Sequence, residues 1–189
     1  MLHAVRLPVE FEGFWWTISP LTGSLLRHVY KPHSLFDDIN QKVRSALEIC
    51  EHPFNCEWSP IPSEGRLSEK NFRQLNQMHD RLLWIGNNHF FLSMLYAGLK
   101  RNIFATTKEA MSEIALIPEQ AIHRDERCLQ RCLLAAKTSE SFKQNGVLLI
   151  GSIPDDGDMH AWIIESDSQP DHMDRGWINY IPMLAIVES

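Results

Sequence analysis

The chain has 189 residues, of which 44% are hydrophobic and 22% charged, and its formal net charge is -6 at pH 7. This composition is typical of a soluble globular protein with one medium domain or two small ones. The mild acidity and the scattered Lys and Arg residues argue against a nucleic-acid partner and a polybasic membrane anchor. The longest apolar stretch, 90–99, is too short to span a bilayer, and no signal peptide opens the chain. We therefore expect a cytoplasmic protein.

The first fifty residues predict a small unit of strands and one helix. Apolar β-forming residues flank the pair Glu12-Gly13 within 9–18, which indicates a β-hairpin. Residues 34–47 carry apolar side chains at helical spacing, with Ser34 as a plausible N-cap. The stretch 51–66 contains three prolines and little periodicity, so it is interpreted as a linker. The boundary between two domains is placed within it, giving 1–58 and 59–189.

The middle of the chain predicts helices. One begins near Asn71 and keeps an apolar face until Gly86, and another covers 90–99. The sequence from Thr106 to Glu109 matches a capping box, which predicts the start of a further short helix.

The last third predicts a helix followed by strands. Asp125 is the expected cap of a helix that runs to about residue 136 and carries Cys128 in its first turn. Strands are predicted at 147–150 and 159–164, with a polar turn between them, and 177–187 is expected to be mostly extended. A helical block followed by strands indicates an α+β fold with an antiparallel sheet.

Cys128 is the candidate nucleophile. The cytosol keeps thiols reduced, so a cysteine in this chain is expected to be either a small core residue or a reactive thiolate. In the first turn of a helix, unpaired N–H groups and the helix dipole favour the thiolate, which is the form that attacks a carbonyl. Cys132, one turn further on, is expected to point into the core.

His160 is the candidate base, because it begins a strand just after a turn and can project from the sheet edge towards the helix. A downstream carboxylate would orient its imidazole ring. The alternative is that Cys128 is a buried apolar residue and His160 an ordinary hydrogen-bonded one. A zinc site could use Cys128 and Cys132, whose spacing fits the looser ligand patterns, but no second close pair exists, so no metal site is predicted. No phosphate-binding loop is present in the sequence, so no cofactor is predicted for this chain.

From about residue 125 onward the chain resembles the transglutaminase-like cysteine peptidases of lasso-peptide biosynthesis, called B proteins or leader peptidases. The segments that carry the resemblance are Arg127-Cys128-Leu129, Val147-Leu-Leu-Ile-Gly-Ser152, His160-Ala-Trp-Ile-Ile-Glu165 and Tyr180-Ile-Pro-Met-Leu-Ala-Ile186. They occur in the family's order and at its typical separations. The resemblance implies a transglutaminase-like or papain-like fold in which a helix carries Cys128 and an antiparallel sheet carries His160.

The resemblance also implies an Asp on the strand that follows the His strand. Asp171 fits the spacing to the Tyr-x-Pro segment and is taken as the third catalytic residue. Asp174 is the alternative, because an ideal hairpin centred on residue 167 would pair it with His160. The N–H of Cys128 is the expected oxyanion donor, and a second donor is left open.

The function implied by the resemblance is removal of the leader from a lasso-peptide precursor. The partner would be an ATP-dependent macrolactam synthetase that closes the ring on the freed N-terminus, so ATP is attributed to the partner. Residues 1–58 resemble the family's winged-helix-like leader-recognition module, which binds the leader as an added strand. A simple structural subdomain is the alternative for this region. Two further alternatives are a non-catalytic module that presents the precursor, and a relative that transfers acyl groups or deamidates.

Overall fold

The computed structural model describes residues 2–32, 41–51, 67–86, 89–117, 128–153, 157–165 and 179–189. Within these ranges the protein is a mixed α+β structure with two antiparallel sheets and six helices, which confirms the predicted α+β class. None of the helices in the described ranges is both long and apolar enough to cross a membrane.

The larger sheet has four strands. In chain order they are β1 (Leu2–Arg6), β5 (Gly146–Ser152), β6 (Met159–Glu165) and β7 (Ile181–Glu188). Their order across the sheet is β1-β7-β5-β6, and every neighbouring pair is antiparallel. The strands expected at 147–150 and 159–164 are confirmed as β5 and β6. The described part of the expected 177–187 extended segment contains β7, whereas β1 was not predicted.

The smaller sheet is formed by β2 (Val9–Phe11), β3 (Phe14–Ile18) and β4 (Leu25–His28), in that order. The hairpin predicted around Glu12-Gly13 is confirmed, with Phe11 opposite Phe14 in the register. Glu12 has φ 51° and Gly13 has φ 77°. Two consecutive residues with positive φ give a tight turn whose twist matches that of the flanking strands.

Helices occupy most of the positions at which apolar periodicity predicts them. Thr106 caps its helix as expected, since its side chain accepts a hydrogen bond from the N–H of Glu109 at 3.1 Å. The expected caps Ser34 and Asp125 lie outside the described residues. A short helix that the sequence did not predict precedes β5. The six helices are α1 (Gln41–Glu51), α2 (Glu69–Gly86), α3 (Phe90–Gly98), α4 (Thr107–Ile114), α5 (Cys128–Thr138) and α6 (Ser141–Asn145).

Helices cover both faces of the four-stranded sheet, which explains why every residue of β5 is buried. Along β6 the side chains alternate between the two faces. Ala161 and Ile163 join the core formed with α2, α3, α4 and α5, whereas Trp162 and Ile164 join the core formed with α1. The candidate site lies where α5 meets β6.

Residues on both sides of position 58 contribute to one sheet and one core. β1 pairs with β7, and α1 packs against β5 and β7. The functional division into 1–58 and 59–189 stays a prediction.

Candidate functional site: Cys128 and the edge of β6

Cys128 is the first described residue of α5 and is half-buried. Its sulfur accepts a hydrogen bond from the backbone N–H of Ala161, with an Sγ···N distance of 3.3 Å. Ala161 directly follows His160 in β6, so the sulfur lies beside the peptide bond that joins these two residues. The structure therefore brings the sulfur of Cys128 next to the backbone of the strand that carries His160.

Cys132 lies one turn further along α5 and is fully buried, which confirms that it is a core residue. Its sulfur donates a hydrogen bond to the carbonyl oxygen of Ala161 at 3.4 Å. Because β6 is an outer strand among those described, one row of its backbone groups faces away from β5. The sulfurs of Cys128 and Cys132 bind both backbone groups of Ala161 and so attach α5 to this edge.

The sequence predicts that Cys128 lies in the first turn of its helix, a position that favours a negative charge, and the residues before Cys128 lie outside the described ranges. The first N–H groups of a helix have no partner within the helix, and the helix dipole places partial positive charge there. The N–H of Ala161 adds a further donor on the sulfur. A thiolate at this position would thus receive both a hydrogen bond and a favourable field, which are the conditions for a nucleophilic cysteine.

His160 is 9% exposed and packs between aromatic rings. Its ring is stacked with that of Trp162, with centroids 6.0 Å apart and an interplanar angle of 16°. The ring of Tyr180 lies at 5.2 Å and is tilted by 33°. His160 and Trp162 are two residues apart on β6, so their side chains leave the strand on the same face.

Gly151 makes the space for this aromatic group. It lies opposite His160 in the register of β5 and β6. A Cβ atom on Gly151 would come within 2.8 Å of the Trp162 ring and 2.6 Å of the carbonyl oxygen of Ile181. The absence of a side chain therefore allows β7 and Trp162 to approach this point, and it helps to fix the surroundings of His160.

The sulfur and the imidazole ring reach β6 from different directions. The sulfur is bound at the strand edge on the α5 side, while the described contacts of the ring are with Trp162 and Tyr180. Proton transfer between Cys128 and His160 requires an imidazole nitrogen within hydrogen-bond distance of the sulfur, directly or through one water molecule.

The remaining predicted site residues fall outside the described ranges. Asp171, taken as the third catalytic residue, and its alternative Asp174 both lie in 166–178. Sequence reasoning missed the role of Ala161 as the backbone partner of both cysteines. It also missed the packing of Trp162 on His160, although their spacing of two residues on a strand was a usable signal.

The part of the chain that the structure describes contains no group of three or more His, Cys, Asp or Glu side chains placed to hold a metal ion. Comparisons of the chain with protein-family models, with curated proteins and with solved structures found no match. A proposal for the function therefore depends on the geometry around Cys128 and His160 and on the resemblance of the sequence to the lasso-peptide leader peptidases.

Proposed function

We propose that this protein is a cysteine peptidase that removes the leader segment from a small peptide precursor, with Cys128 as the nucleophile. The observation that supports it best is the position of the Cys128 sulfur. It is half-buried in the first described turn of α5, and it is 3.3 Å from the nitrogen of the residue that follows His160. The sulfur of Cys128 therefore lies next to the backbone of the strand that carries His160, and this closeness supports the pairing of a cysteine with a histidine that a cysteine hydrolase requires.

In the proposed reaction, the sulfur of Cys128 attacks the carbonyl carbon of the scissile peptide bond. His160 accepts the thiol proton and delivers it to the departing amine, which leaves as the new N-terminus of the product. Water then attacks the thioester with His160 as base, releasing the leader carboxylate and restoring the thiol. Asp171 is proposed to hold the imidazole ring in the orientation that these transfers need, and Asp174 is the alternative.

The proposed substrate class comes from the resemblance to the leader peptidases of lasso-peptide biosynthesis. On this proposal the product N-terminus is passed to an ATP-dependent macrolactam synthetase. Recognition of the leader is assigned to residues 1–58. The smaller sheet supports this assignment, because β2 and β4 are its two outer strands among those described. An extended peptide can pair with such an edge through its main-chain hydrogen bonds.

A second candidate function is a non-catalytic module that binds the precursor and presents it to its partner. The observation that favours it is the pair of sulfur contacts on Ala161. Both cysteines attach α5 to β6, and a purely structural thiol would make the same contact.

The decisive experiment compares three proteins: the wild type, Cys128→Ala and Cys50→Ala. Cys50 is also half-buried and lies on α1, so its replacement removes a comparable thiol elsewhere. Each protein is incubated with the precursor peptide encoded in the same gene cluster, with and without the synthetase, and the products are identified by mass spectrometry. We expect a leader-sized fragment from the wild type and from Cys50→Ala, and intact precursor from Cys128→Ala.

Other outcomes would separate the alternatives. Cleavage by Cys128→Ala at the wild-type rate would disprove the nucleophile assignment. Binding of the precursor without cleavage by any of the proteins would favour the presenting module. A product of unchanged length with a converted glutamine or a new amide would indicate the deamidating or acyl-transferring relative.

A further inference from the structure

A cleft lined by basic side chains lies at the other end of α5. Its volume is about 1060 Å³, and its walls come from α2, from the end of α3 and the residues after it, and from the end of α5. Only one carboxylate, that of Glu69, is among the residues that line it in the described part of the chain. The cations that line it are Lys70, Arg73, Arg81, Lys100, Arg101 and Lys137.

Only part of this positive charge is neutralised by the protein itself. Arg73 forms an ion pair with Glu69, and Lys100 pairs with Glu188 at 2.6 Å. The other four cations of the cleft form no ion pair with a carboxylate among the described residues. The whole chain carries a net charge of -6, so this concentration of positive charge is a local property of the cleft.

Lys137 is a buried cation in the wall of this cleft, with only 3% of its surface exposed. Its ammonium group donates to the carbonyl oxygens of Tyr96 and Leu99, and it lies 4.2 Å from the centre of the Tyr96 ring. Carbonyl groups at the end of a helix carry partial negative charge, which stabilises the ammonium group only in part. Burial, followed by repulsion from Arg101 and Lys100, lowers the pKa of Lys137 to about 8.

We propose that this cleft binds an acidic peptide segment of a partner. The cations on α2 extend from Lys70 to Arg81, which corresponds to about 16 Å along the helix axis. An extended peptide covers that length with about five residues. Gln74 and Gln77 line the same wall, and their amide groups can bond to a peptide main chain. Carboxylates of the peptide would meet the cations that form no ion pair among the described residues.

The same features fit a nucleic acid or an isolated phosphate less well. Single-stranded nucleic acids are held by aromatic side chains on which bases stack. Tyr96 is the only aromatic residue among the described residues that line the cleft, and its ring already contacts Lys137. An isolated phosphate needs donors that converge on one point, whereas these cations are spread along a helix.

The cleft is separate from the site at Cys128. Lys137 follows Cys128 by nine residues in α5, which places them about 13 Å apart along the helix axis. Binding of an acidic peptide here is therefore independent of the proposed peptidase activity and can be tested without any substrate.

The test uses two variants with the same change in net charge. The cleft variant combines Lys70→Gln, Arg81→Gln and Arg101→Gln, which are exposed residues whose replacement leaves the core intact. The control variant combines Arg27→Gln, Lys31→Gln and Arg44→Gln, which are exposed and do not line the cleft. Circular dichroism verifies that both are folded.

The probes are peptides of six glutamates or six glutamines with the same rhodamine label, together with a labelled six-nucleotide oligo-dT. Their binding is measured by fluorescence anisotropy at low and at physiological salt. We expect the glutamate peptide to bind the wild type and the control variant, and the cleft variant to bind it about tenfold more weakly. The glutamine peptide should not bind, and the affinity for the glutamate peptide should fall with added salt.

Equal affinities of the cleft and control variants for the glutamate peptide would overturn the proposal, as would failure of the wild type to bind it. Tighter binding of the oligo-dT than of the glutamate peptide would overturn the assignment to an acidic peptide.

Discussion

Replacement of Gly151 by alanine is a direct test of the packing beside His160. Gly151 lies opposite His160, at the point where the pairing of β5 with β7 shifts by one position. An added Cβ atom would stand 2.6 Å from the carbonyl oxygen of Ile181 and 2.8 Å from the ring of Trp162. Both distances are shorter than a van der Waals contact, and one of the two groups is backbone. Either β7 or the buried Trp162 must therefore move.

We expect Gly151→Ala to lower the free energy of unfolding by about 1 to 3 kcal/mol, the usual cost of overpacking a tight core. Gly98→Ala is the matched control, because its Cβ would lie 3.7 Å from the nearest atom, the Cγ of Leu2. That distance is an ordinary contact. The control should raise the free energy of unfolding by about 0.4 to 1 kcal/mol, since alanine restricts the unfolded chain.

Urea unfolding followed by tryptophan fluorescence measures both free energies, and near-ultraviolet circular dichroism reports on the surroundings of Trp162. The two substitutions are the same chemical change, so the opposite signs isolate the effect of the neighbouring atoms. If Gly151→Ala is as stable as the wild type, then the close approach of β7 and Trp162 to Gly151 is wrong, and so is the account of what surrounds His160.

The remaining predictions concern a cysteine and a lysine. At pH 7, iodoacetamide should alkylate Cys128 faster than Cys50, although both are half-buried. The reason is that the expected position of Cys128 in the first helical turn and the Ala161 N–H stabilise its thiolate. Cys132 should react slowly because it is buried. Peptide mass spectrometry after timed quenching measures these rates, and equal rates for Cys128 and Cys50 would contradict an activated thiol. The pKa of Lys137 is lowered from 10.5 to about 8 by burial, so between these pH values the unfolded chain holds more protons than the folded one. The stability of the wild type relative to Lys137→Met should therefore rise with pH across this window. Burial also lowers the pKa of Lys100, but this residue is present in both proteins. If the stabilities of the wild type and Lys137→Met change in parallel with pH, the prediction is refuted.

Local patterns in the sequence were sufficient to predict several elements. The Glu12-Gly13 turn specifies its hairpin because both positions adopt positive φ. The capping box at Thr106 locates the start of α4 because its hydrogen bonds join residues three positions apart. Short apolar runs in the sequence predicted strands β5 and β6. In each case the signal and the structure it predicts lie within a few residues of each other.

Elements that depend on distant partners were not predictable in this way. β1 has no distinctive pattern, and it is a strand because it pairs with β7 at the far end of the chain. In the candidate site, too, some features follow from local sequence and others depend on distant partners. The helix that carries Cys128 and the strand that carries His160 follow from local sequence, but the binding of both sulfurs to Ala161 depends on how α5 packs against the edge of β6. The roles of Asp171 and Asp174 stay predictions, because these residues lie outside the described ranges.

The pairing of β1 with β7 has a consequence for the order of folding during synthesis. His3 lies opposite Val187, so the first described strand to leave the ribosome pairs with the last one. Contacts between such distant segments form slowly because closing the intervening loop costs entropy. Until β7 emerges, β1 has no strand to pair with among those described, and β5 is paired only with β6. The nascent chain therefore leaves β1 unpaired for almost the whole of its synthesis, and it exposes a second unpaired edge once β5 has been made, so a chain that stops before Ile181 should aggregate.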